Sequence, residues 1–598
     1  MFENIYKTIQ DGNTVINNIV WGTPILCLIM FTGIFYTFKT RAFQITHFPQ
    51  VIKNTINSIF NKDINSSNEK NVITRFQALS TALAATIGTG NIAGVSTAIV
   101  IGGPGSIFWM WICAILGMIT HFAEVVLGIY FRKKDAENGY SGGPMYYLEY
   151  GLGEKMNHKH IGKTLAILFA TFTFITSFGT GNMTQVNSIS DALKTNFNIP
   201  NLYTGLFLAI IATLVILGGI SRIGKVAEKI VPAMSVFYII IGLIIVISNI
   251  DQVPYVFQSI FSSAFSKKAI AGGIFGYVFK RAMTYGFKRG AFSNEAGLGS
   301  SVIAHTASNV KEPVEQGLWG IFEVFFDTIV VCTFTALIVL STTMPLNSFN
   351  DQIRNLTIDE QIVYINESNN DKIHLVNNDY TASQIKVDLK NNAKIYDDLN
   401  GISQDANNEF IEINAYGKTY FVEAKKESEK NENDYHFGNV LRIKLNPVLV
   451  NNKIQYDEKN IPKFDSLHVE KVNGVSLVTL AVSSKLSHIA GKILAIAISL
   501  FAFSTTLGWS YYGTKAIEYL GGKKATVIYK ILFIIFIVIG STMNLNLAWD
   551  IADTMNGLMT IPNLIGVLLL SNTVIKIVNN YNKRIDGENI EKDISYFN

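Results

Sequence analysis

The sequence predicts an all-α polytopic membrane protein with about eleven spans and one long polar insert. Hydrophobic residues make up 49% of the 598 residues and charged residues only 16%, a balance that soluble proteins of this size rarely need. Apolar stretches recur along the chain, each near the roughly 20 residues that cross the hydrocarbon core of a bilayer. A long region rich in Asn, Asp, Glu and Lys interrupts this pattern.

Hydropathy and loop charge predict the organisation along the chain. Lysines and arginines concentrate after the first and third spans, so both loops should be cytoplasmic. With eleven spans, the N-terminus then lies outside the cell and the C-terminus in the cytoplasm. The spans lie near residues 15–38, 74–102, 106–131, 163–187, 201–219, 228–248, 269–286, 316–342, 489–512, 525–542 and 547–578. The predicted regions are 1–344 with spans one to eight, an extracellular insert at 345–474, 475–580 with spans nine to eleven, and a cytoplasmic tail at 581–598.

The insert is too long for an ordinary connection, so it is either a small soluble domain or a partly disordered segment. Its stretches from Phe410 to Ile413 and from Tyr420 to Ala424 are typical of strands. We favour a small β-rich domain.

Several function classes find no support in the residues. The net charge of +4 comes without a lysine- and arginine-rich block, so no nucleic-acid partner is expected. Cys27, Cys113 and Cys332 lie in predicted spans without metal or redox spacing, and His121 is predicted to be structural. No HExxH, GxSxG or phosphate-loop motif occurs, so we predict no enzyme, no catalytic residues and no cofactor. The N-terminus does not resemble a cleaved signal peptide, and the first span is predicted to be retained.

A glycine cluster in the second span carries the functional prediction. The span reads TALAATIGTGNIAGVSTAIVIGGPG, in which Gly88, Gly90 and Gly94 weaken a helix interior. Such glycines either let helices pack closely or permit an unwound segment whose backbone binds a ligand. The seventh span, five spans later, contains a second cluster: Gly272, Gly273 and Gly276. Paired interruptions are typical of inverted-repeat transporters, which favours the ligand-binding interpretation.

A broken helix suits a ligand that carries both charges. Amides at the N-terminus of a half-helix can bind a carboxylate, whereas carbonyls at a half-helix C-terminus can bind an ammonium group or a cation. Inside a bilayer, unwound backbone is tolerated only around a cavity. The pattern therefore predicts a midplane site for a zwitterion and a cation.

Five separated motifs resemble one family. They are FQALSTALAATIGTGNIAGVSTAI, SGGPMYYLEYGLG, GTGNMTQVNSISDAL, KRGAFSNEAGLGS and FSTTLGWSYYG, and together they cover nearly all of the chain except the insert. In these motifs the chain resembles the alanine or glycine:cation symporters, a bacterial and archaeal family of sodium-coupled amino-acid carriers. The resemblance implies a five-plus-five inverted-repeat (LeuT-like) fold with one extra N-terminal helix. It also implies symport of sodium and small neutral amino acids, alanine and glycine, across the cell membrane by a monomeric transport unit with alternating access.

The resemblance also implies site residues. The substrate carboxylate would lie near the amides of Gly88, Thr89 and Gly90, with Asn91 supporting either site. Gln185 and Trp509 would face the pocket, although an interfacial glutamine and a belt tryptophan are common alternatives. The second broken helix would contribute Gly272, Gly273 and Gly276. The implied sodium ligands are the carbonyls of Ala84, Ile87 and Ala502 and the hydroxyls of Thr505 and Thr506.

The last three sodium ligands share one helical face, because their spacing is i, i+3 and i+4. The alternative is that the hydroxyls bond back to their own helix.

Two intramembrane carboxylates need partners, because an unpaired charge there is costly. Glu124 is predicted to accept hydrogen bonds from unwound backbone, with a proton relay as the alternative. Asp327 either supports the core or joins ion coordination. KRGAFSNEAGLGSS is predicted to be an inner loop with a role in gating geometry.

Two other classes remain as alternatives to a carrier. A membrane amino-acid sensor would use the extracellular insert to recognise its ligand. A channel would use the glycine-rich breaks to line a pore.

Overall fold

The computed structural model of the chain describes residues 2–60, 72–134, 139–265, 274–342, 474–485, 488–543 and 546–597, together with the strands between residues 344 and 471. The helices are, in order, α1 Phe2–Val20, α2 Thr23–Lys39, α3 Phe43–Thr46, α4 Phe48–Phe60, α5 Arg75–Thr86, α6 Ala93–Gly102, α7 Gly105–Tyr130, α8 Pro144–Tyr146, α9 Lys159–Phe178, α10 Thr184–Phe197, α11 Asn201–Ile216, α12 Gly219–Ser248, α13 Val253–Ala264, α14 Ile274–Asn294, α15 Val302–His305, α16 Pro313–Val324, α17 Thr333–Thr342, α18 Gly474–Lys485, α19 His488–Thr542, α20 Asn546–Leu569 and α21 Ser571–Ile585. Short 3₁₀ turns lie at Thr89–Asn91 and Ile250–Gln252, and π-helical turns at Tyr147–Lys155, Gly179–Met183 and Phe325–Cys332.

Apolar helices make the chain a polytopic membrane protein. Within the described ranges, six helices are long and apolar enough to cross a bilayer, and eight result if each of two bent pairs counts as one span. Gly522, with a φ of 74°, divides α19 between the predicted ninth and tenth spans. The total of eleven spans and the inverted repeat stay predictions.

Burial separates a central helix from helices at the periphery. In the most apolar 18-residue stretch of α7, 83% is buried inside the protein, and α7 packs against α14 and α16. By contrast, α11 exposes Phe207, Ile210 and Leu214 while it buries Leu208 and Ala212. An apolar exposed face of this kind suits contact with lipid.

The first predicted span begins with a break. Helix α1 ends at Val20 and α2 begins at Thr23, with Pro24 in its first turn. Trp21 between them is buried and donates from its indole nitrogen to the Asp553 carbonyl over 2.9 Å. The predicted span at 15–38 thus lies within one candidate membrane span, Gln10–Lys39, which is interrupted at Trp21 and Gly22. The last predicted span, 547–578, also bends, by 57° near Leu570.

Strands occur at two places. Lys133–Lys134 and Tyr140–Ser141 pair as a short antiparallel ladder after α7. Within 345–474, both stretches predicted as strands lie in paired strands, because Phe410 opposes Glu423 and Ile413 opposes Tyr420. The remaining strands are Met344–Pro345, Gln361–Ile365, Lys386–Lys390, Asn439–Pro447, Leu449–Val450, Lys453–Ile454 and Phe464–Lys471. That this region forms a folded domain stays a prediction.

Candidate substrate and sodium site

The predicted broken helix is present at Gly88. Helix α5 ends at Thr86, and a 3₁₀ turn covers Thr89–Asn91. The chain bends by 58° between α5 and the half that runs from Thr89 to Gly102. The Gly88 N–H donates to Asn91 Oδ1 over 3.1 Å instead of continuing the helix. In an unbroken helix this N–H would bond to the Ala84 carbonyl. The break therefore frees the Ala84 carbonyl for another partner.

Helix α19 presents hydroxyl groups to these carbonyls. Thr505 Oγ1 lies 3.4 Å from the Ile87 carbonyl oxygen, and Ser504 Oγ lies 3.4 Å from that of Ala84. Both carbonyls and both hydroxyls are buried. The structure thus brings one predicted hydroxyl ligand against one predicted carbonyl ligand, and adds Ser504.

The two predicted threonine ligands also bond back to their own helix, which is the alternative role that the sequence left open for them. Thr505 Oγ1 donates to the Phe501 carbonyl over 3.1 Å, and Thr506 Oγ1 donates to the Ala502 carbonyl over 3.1 Å. Hydroxyl oxygens keep lone pairs after donating, so a back-bonded threonine can still contact a cation. Ala502 and Thr506 contact each other on the face of α19 predicted for sodium.

Gln185 reaches the broken helix from α10. Its Oε1 accepts from the Thr89 N–H over 3.3 Å and from Thr89 Oγ1 over 3.0 Å. Its Nε2 donates to the Thr180 carbonyl over 3.0 Å. Gln185 is buried, so its position is not that of an interfacial residue. An amide oxygen thus lies where a substrate carboxylate would accept from Thr89.

Trp509 lies between the break and the π-helical turn Gly179–Met183. Its indole is buried, and its N–H donates to Glu295 Oε1 over 3.1 Å. A methyl group built on Gly181 would lie 2.2 Å from Trp509 Cβ. Only glycine fits at this close approach, and the burial of the indole excludes a position in an interfacial belt.

The second predicted interruption lies only partly within the residues that the structure describes. Gly276 is inside α14, which continues to Asn294, whereas Gly272 and Gly273 lie outside the described residues. A further unwound segment follows Asn294, where Glu295, Gly297 and Gly299 have φ values of 55°, 91° and 78°. The segment predicted as an inner loop is therefore helical up to Asn294.

This second segment lies in the core. Ser293, Asn294 and Glu295 are all buried, and Phe292 packs against Gly90 of the first break. A methyl group on Gly90 would meet the Phe292 ring at 3.3 Å. The two unwound segments are thus close neighbours.

Glu124 makes the contact predicted for it. Its Oε1 accepts from the Gly297 N–H over 3.0 Å and from Asn563 Nδ2 over 2.5 Å. Its Oε2 lies 2.9 Å from His121 Nδ1. Glu124 therefore holds the unwound backbone after α14.

His121 belongs to a buried network rather than standing alone. Its Nε2 lies 3.2 Å from Glu323 Oε2, which also lies 2.6 Å from His305 Nε2. The three ligand-type atoms lie within 4.8 Å of one another, a spacing that a metal ion could also use. The direct 2.6 Å contact between His305 and Glu323 is that of a charge-assisted hydrogen bond. The network ties α7 to α15 and α16.

Asp327 lies in the π-helical turn Phe325–Cys332, next to the first break. Its Oδ1 accepts from Asn91 Nδ2 over 2.6 Å. Its Oδ2 accepts from Ser293 Oγ over 2.7 Å and from Thr328 Oγ1 over 2.8 Å. Asn91 thus connects the Gly88 amide to a buried carboxylate.

Three residues of this region are not among the site residues that the sequence predicts: Ser293, Glu295 and Ser504. Ser504 is adjacent to the predicted threonines, so the run of three hydroxyls was the available signal. Ser293 and Glu295 belong to KRGAFSNEAGLGS, which the sequence predicts to be a loop, but Ser293 is in α14 and Glu295 directly follows it.

Comparisons with known proteins identify the family of the chain. A model of the sodium:alanine symporter family matches residues 6–364 and 461–594. The chain belongs to this family. The sodium/alanine symporter AgcS of Methanococcus maripaludis is 38% identical over 571 residues, which cover 96% of each chain. An uncharacterized transporter of Haemophilus influenzae is 32% identical over 98% of this chain and 99% of its own. The probable sodium/glutamine symporter GlnT of Bacillus subtilis is 30% identical over 95% and 90% of the two chains.

Membership in the sodium:alanine symporter family makes the chain a sodium-coupled amino-acid symporter in a membrane, not an enzyme. The family assignment rests on matches that span both sides of the insert. The resemblance found in the five motifs is confirmed.

Proposed function

We propose that the protein imports small neutral amino acids, alanine and glycine, together with sodium across the cell membrane. The observation that carries the proposal is the contact at the first break, where Thr505 Oγ1 approaches the Ile87 carbonyl to 3.4 Å. One residue further along, the Gly88 N–H donates to Asn91 Oδ1 and the Thr89 N–H donates to Gln185 Oε1, two side-chain oxygens that a carboxylate could replace. A cation and a carboxylate would therefore bind at adjacent points of one backbone turn.

In the proposed site, sodium binds the carbonyls of Ala84, Ile87 and Ala502 and the hydroxyls of Thr505 and Thr506. These are neutral oxygen ligands, which suit a hard monovalent ion. The substrate carboxylate displaces the Gln185 amide oxygen from Thr89 and binds the amides of the 3₁₀ turn. Sodium and substrate then stabilise the same arrangement of the break, which gives reciprocal coupling between their affinities.

Trp509 is proposed to limit the size of the substrate side chain. Its indole packs on Gly181 and donates to Glu295, and these two contacts hold the ring in place. This restriction favours alanine and glycine over longer amino acids. The name of the relative AgcS, a sodium/alanine symporter, points to the same substrate.

The mechanism that we propose is alternating access in a five-plus-five inverted-repeat fold with eleven spans. The N-terminus lies outside and the C-terminus in the cytoplasm, and each monomer transports independently within the lipid bilayer. A neutral zwitterion that enters with sodium carries positive charge inward, so a membrane potential contributes about 2.3 kcal/mol per 100 mV for each charge. The sensor and channel alternatives have no observation in their favour.

The test is uptake of labelled alanine and glycine into proteoliposomes with an inward sodium gradient. The wild type should accumulate substrate. In the double variant Thr505→Ala, Thr506→Ala, the sodium concentration for half-maximal uptake should rise by about tenfold or more. Thr514→Ala is the matched control, because Thr514 Oγ1 also bonds back within α19, to Ser510, but away from the break. It should leave sodium dependence unchanged.

Each contrary result identifies the part that fails. Unchanged sodium dependence in the double variant would refute the sodium ligands. Binding of the amino acid without its accumulation would indicate a sensor. Amino-acid flux that neither saturates nor stops at the limit set by the sodium gradient would indicate a channel.

A further inference from the structure

Asp327 is a fully buried carboxylate in the described core, and all of its hydrogen bonds come from neutral groups. Asn91, Ser293 and Thr328 donate to it over 2.6 to 2.8 Å. These donors belong to three different elements: the first break, the end of α14 and the π-helical turn itself. None of them supplies a positive charge.

Other buried carboxylates of the core differ in this respect. Glu124 and Glu323 each contact histidine, and Asp553 pairs with Lys288 at 2.9 Å. Among the residues that the structure describes, no lysine, arginine or histidine forms an ion pair with Asp327. An uncompensated charge in a membrane interior is costly, so an ionised Asp327 would be stabilised by a positive charge from elsewhere.

Glu295 also lacks a cationic partner in the described core, but its surroundings do not form a cation site. Its carboxylate accepts from Ser300 over 2.5 Å, within its own unwound segment, and from the Trp509 indole. An indole N–H is a donor only and cannot ligate a cation. Around Asp327, by contrast, every donor atom except the Asn91 nitrogen is a hydroxyl oxygen with lone pairs.

The oxygen atoms around Asp327 match the preference of an alkali cation. Ser293 Oγ and Thr328 Oγ1 can rotate their protons away and present lone pairs, and a rotated Asn91 amide can present its oxygen. One carboxylate among neutral oxygens balances a single positive charge. A divalent cation usually attracts further carboxylates.

We propose that Asp327 binds a second sodium ion, separate from the ion at Thr505 and Thr506, so that two sodium ions move with each amino acid. The inference rests on the proposed symport function and adds its stoichiometry. Asn91 provides the link to the substrate, because its amide contacts both Asp327 and the Gly88 N–H. A cation that pulls on Asn91 alters the amide that the substrate carboxylate needs.

The isosteric variant Asp327→Asn tests the proposal. In wild-type proteoliposomes, the reversal potential should indicate two positive charges per alanine, and sodium dependence should have a Hill coefficient approaching two. Asp327→Asn should reduce both values to one. Asp553→Asn removes another buried carboxylate, one that already has basic partners, and it should leave both values at two.

Radioactive sodium binding to the purified protein, measured without amino acid, identifies the source of the positive charge. Two equivalents in the wild type and one in Asp327→Asn support a sodium site. One equivalent in both proteins overturns it and assigns the charge to a proton or to the substrate ammonium group. A wild type without any sodium-driven uptake refutes the proposed function, whereas sodium-driven uptake at one charge per alanine refutes only this inference.

A second variant keeps the proposal testable if Asp327→Asn fails to fold. Ser293→Ala removes one hydroxyl ligand but leaves the carboxylate. It should retain two charges per alanine and require several-fold more sodium for half-maximal uptake. Wild-type sodium affinity in Ser293→Ala would contradict the proposed ligand set.

Discussion

Substitution of Gly88 by alanine tests the closest contact of the first break. A methyl group on Gly88 would lie 2.3 Å from Thr505 Oγ1, 3.2 Å from Thr505 Cβ and 3.3 Å from Gln185 Oε1. The φ of Gly88 is −135°, so the position does not need the left-handed conformation that favours glycine. The expected effect of Gly88→Ala follows from the steric overlap.

The magnitude follows from the overlap. The first of these distances is about 1 Å shorter than ordinary contact, and overpacking of this kind costs about 1–3 kcal/mol. Thr505 can relieve it by rotating about χ1, since threonine has two accessible rotamers in a helix. Rotation moves the hydroxyl away from the Ile87 carbonyl. If that pair binds sodium, the cost corresponds to a decrease in sodium affinity of about 5- to 150-fold.

The assay is sodium-dependent alanine uptake, with thermal denaturation in detergent as a check on folding. Gly94→Ala is the matched control, because a methyl group there meets only Arg289 Cδ, at 3.8 Å. Gly88→Ala should raise the half-maximal sodium concentration, and Gly94→Ala should not. Equal sodium affinity in the two variants would refute the assignment.

A double-mutant cycle isolates the contact itself. Thr505→Ala removes the oxygen that the new methyl group would strike, so adding Gly88→Ala to Thr505→Ala should cost much less than adding it to the wild type. A coupling energy of about 1–3 kcal/mol is expected for residues in such contact. Additive effects would show that Gly88→Ala acts elsewhere.

Two further predictions concern the pocket wall and the second break. Gly181→Ala places a methyl group 2.2 Å from Trp509 Cβ, so it should displace the indole and lower alanine uptake at least tenfold. The control is Gly12→Ala, whose methyl group has nothing within 4 Å and should have no effect on uptake. Normal alanine uptake by Gly181→Ala would contradict a fixed indole. Glu124→Ala leaves the Gly297 N–H and the Asn563 amide without their acceptor, which should cost about 1–3 kcal/mol of stability. Thermal denaturation should show this loss, against a change within about 0.5 kcal/mol for the exposed Glu588→Ala, and equal midpoints would refute the role of Glu124.

The first break was predictable because its signal is local. Gly88 and Gly90 disfavour helix regardless of the fold around them, and the hydroxyls of α19 follow a helical spacing. Glu124 was predictable for a related reason, since a carboxylate in a membrane must find donors and unwound backbone supplies them. Each of these predictions depends on a rule that needs no tertiary structure.

The second break, which is the unwound segment after Asn294, was not predicted, and a distant ion pair accompanies the helix that precedes it. Lys288 and Arg289 suggest the end of a span, yet α14 continues through them. Asp553 on α20 lies 2.9 Å from Lys288 Nζ and 3.8 Å from an Arg289 nitrogen, which lets both charges remain within the helix. No periodicity in the sequence identifies Asp553 as the partner. The π-helical turn that contains Asp327 could not be predicted either, since a π-helical turn adds one residue to the helix without a distinctive composition.

The carboxylates at the two breaks differ in whether a basic side chain lies beside them. At the second break, Glu124 accepts directly from the Gly297 N–H and has His121 beside it. At the first, Asp327 acts through Asn91 on the Gly88 N–H and has only neutral donors. A carboxylate that already has an imidazole partner gains little from another cation, whereas one without a partner gains most when a cation arrives. The first break is therefore the one whose conformation should respond to sodium, and the second the one that should stay fixed as ions bind and leave.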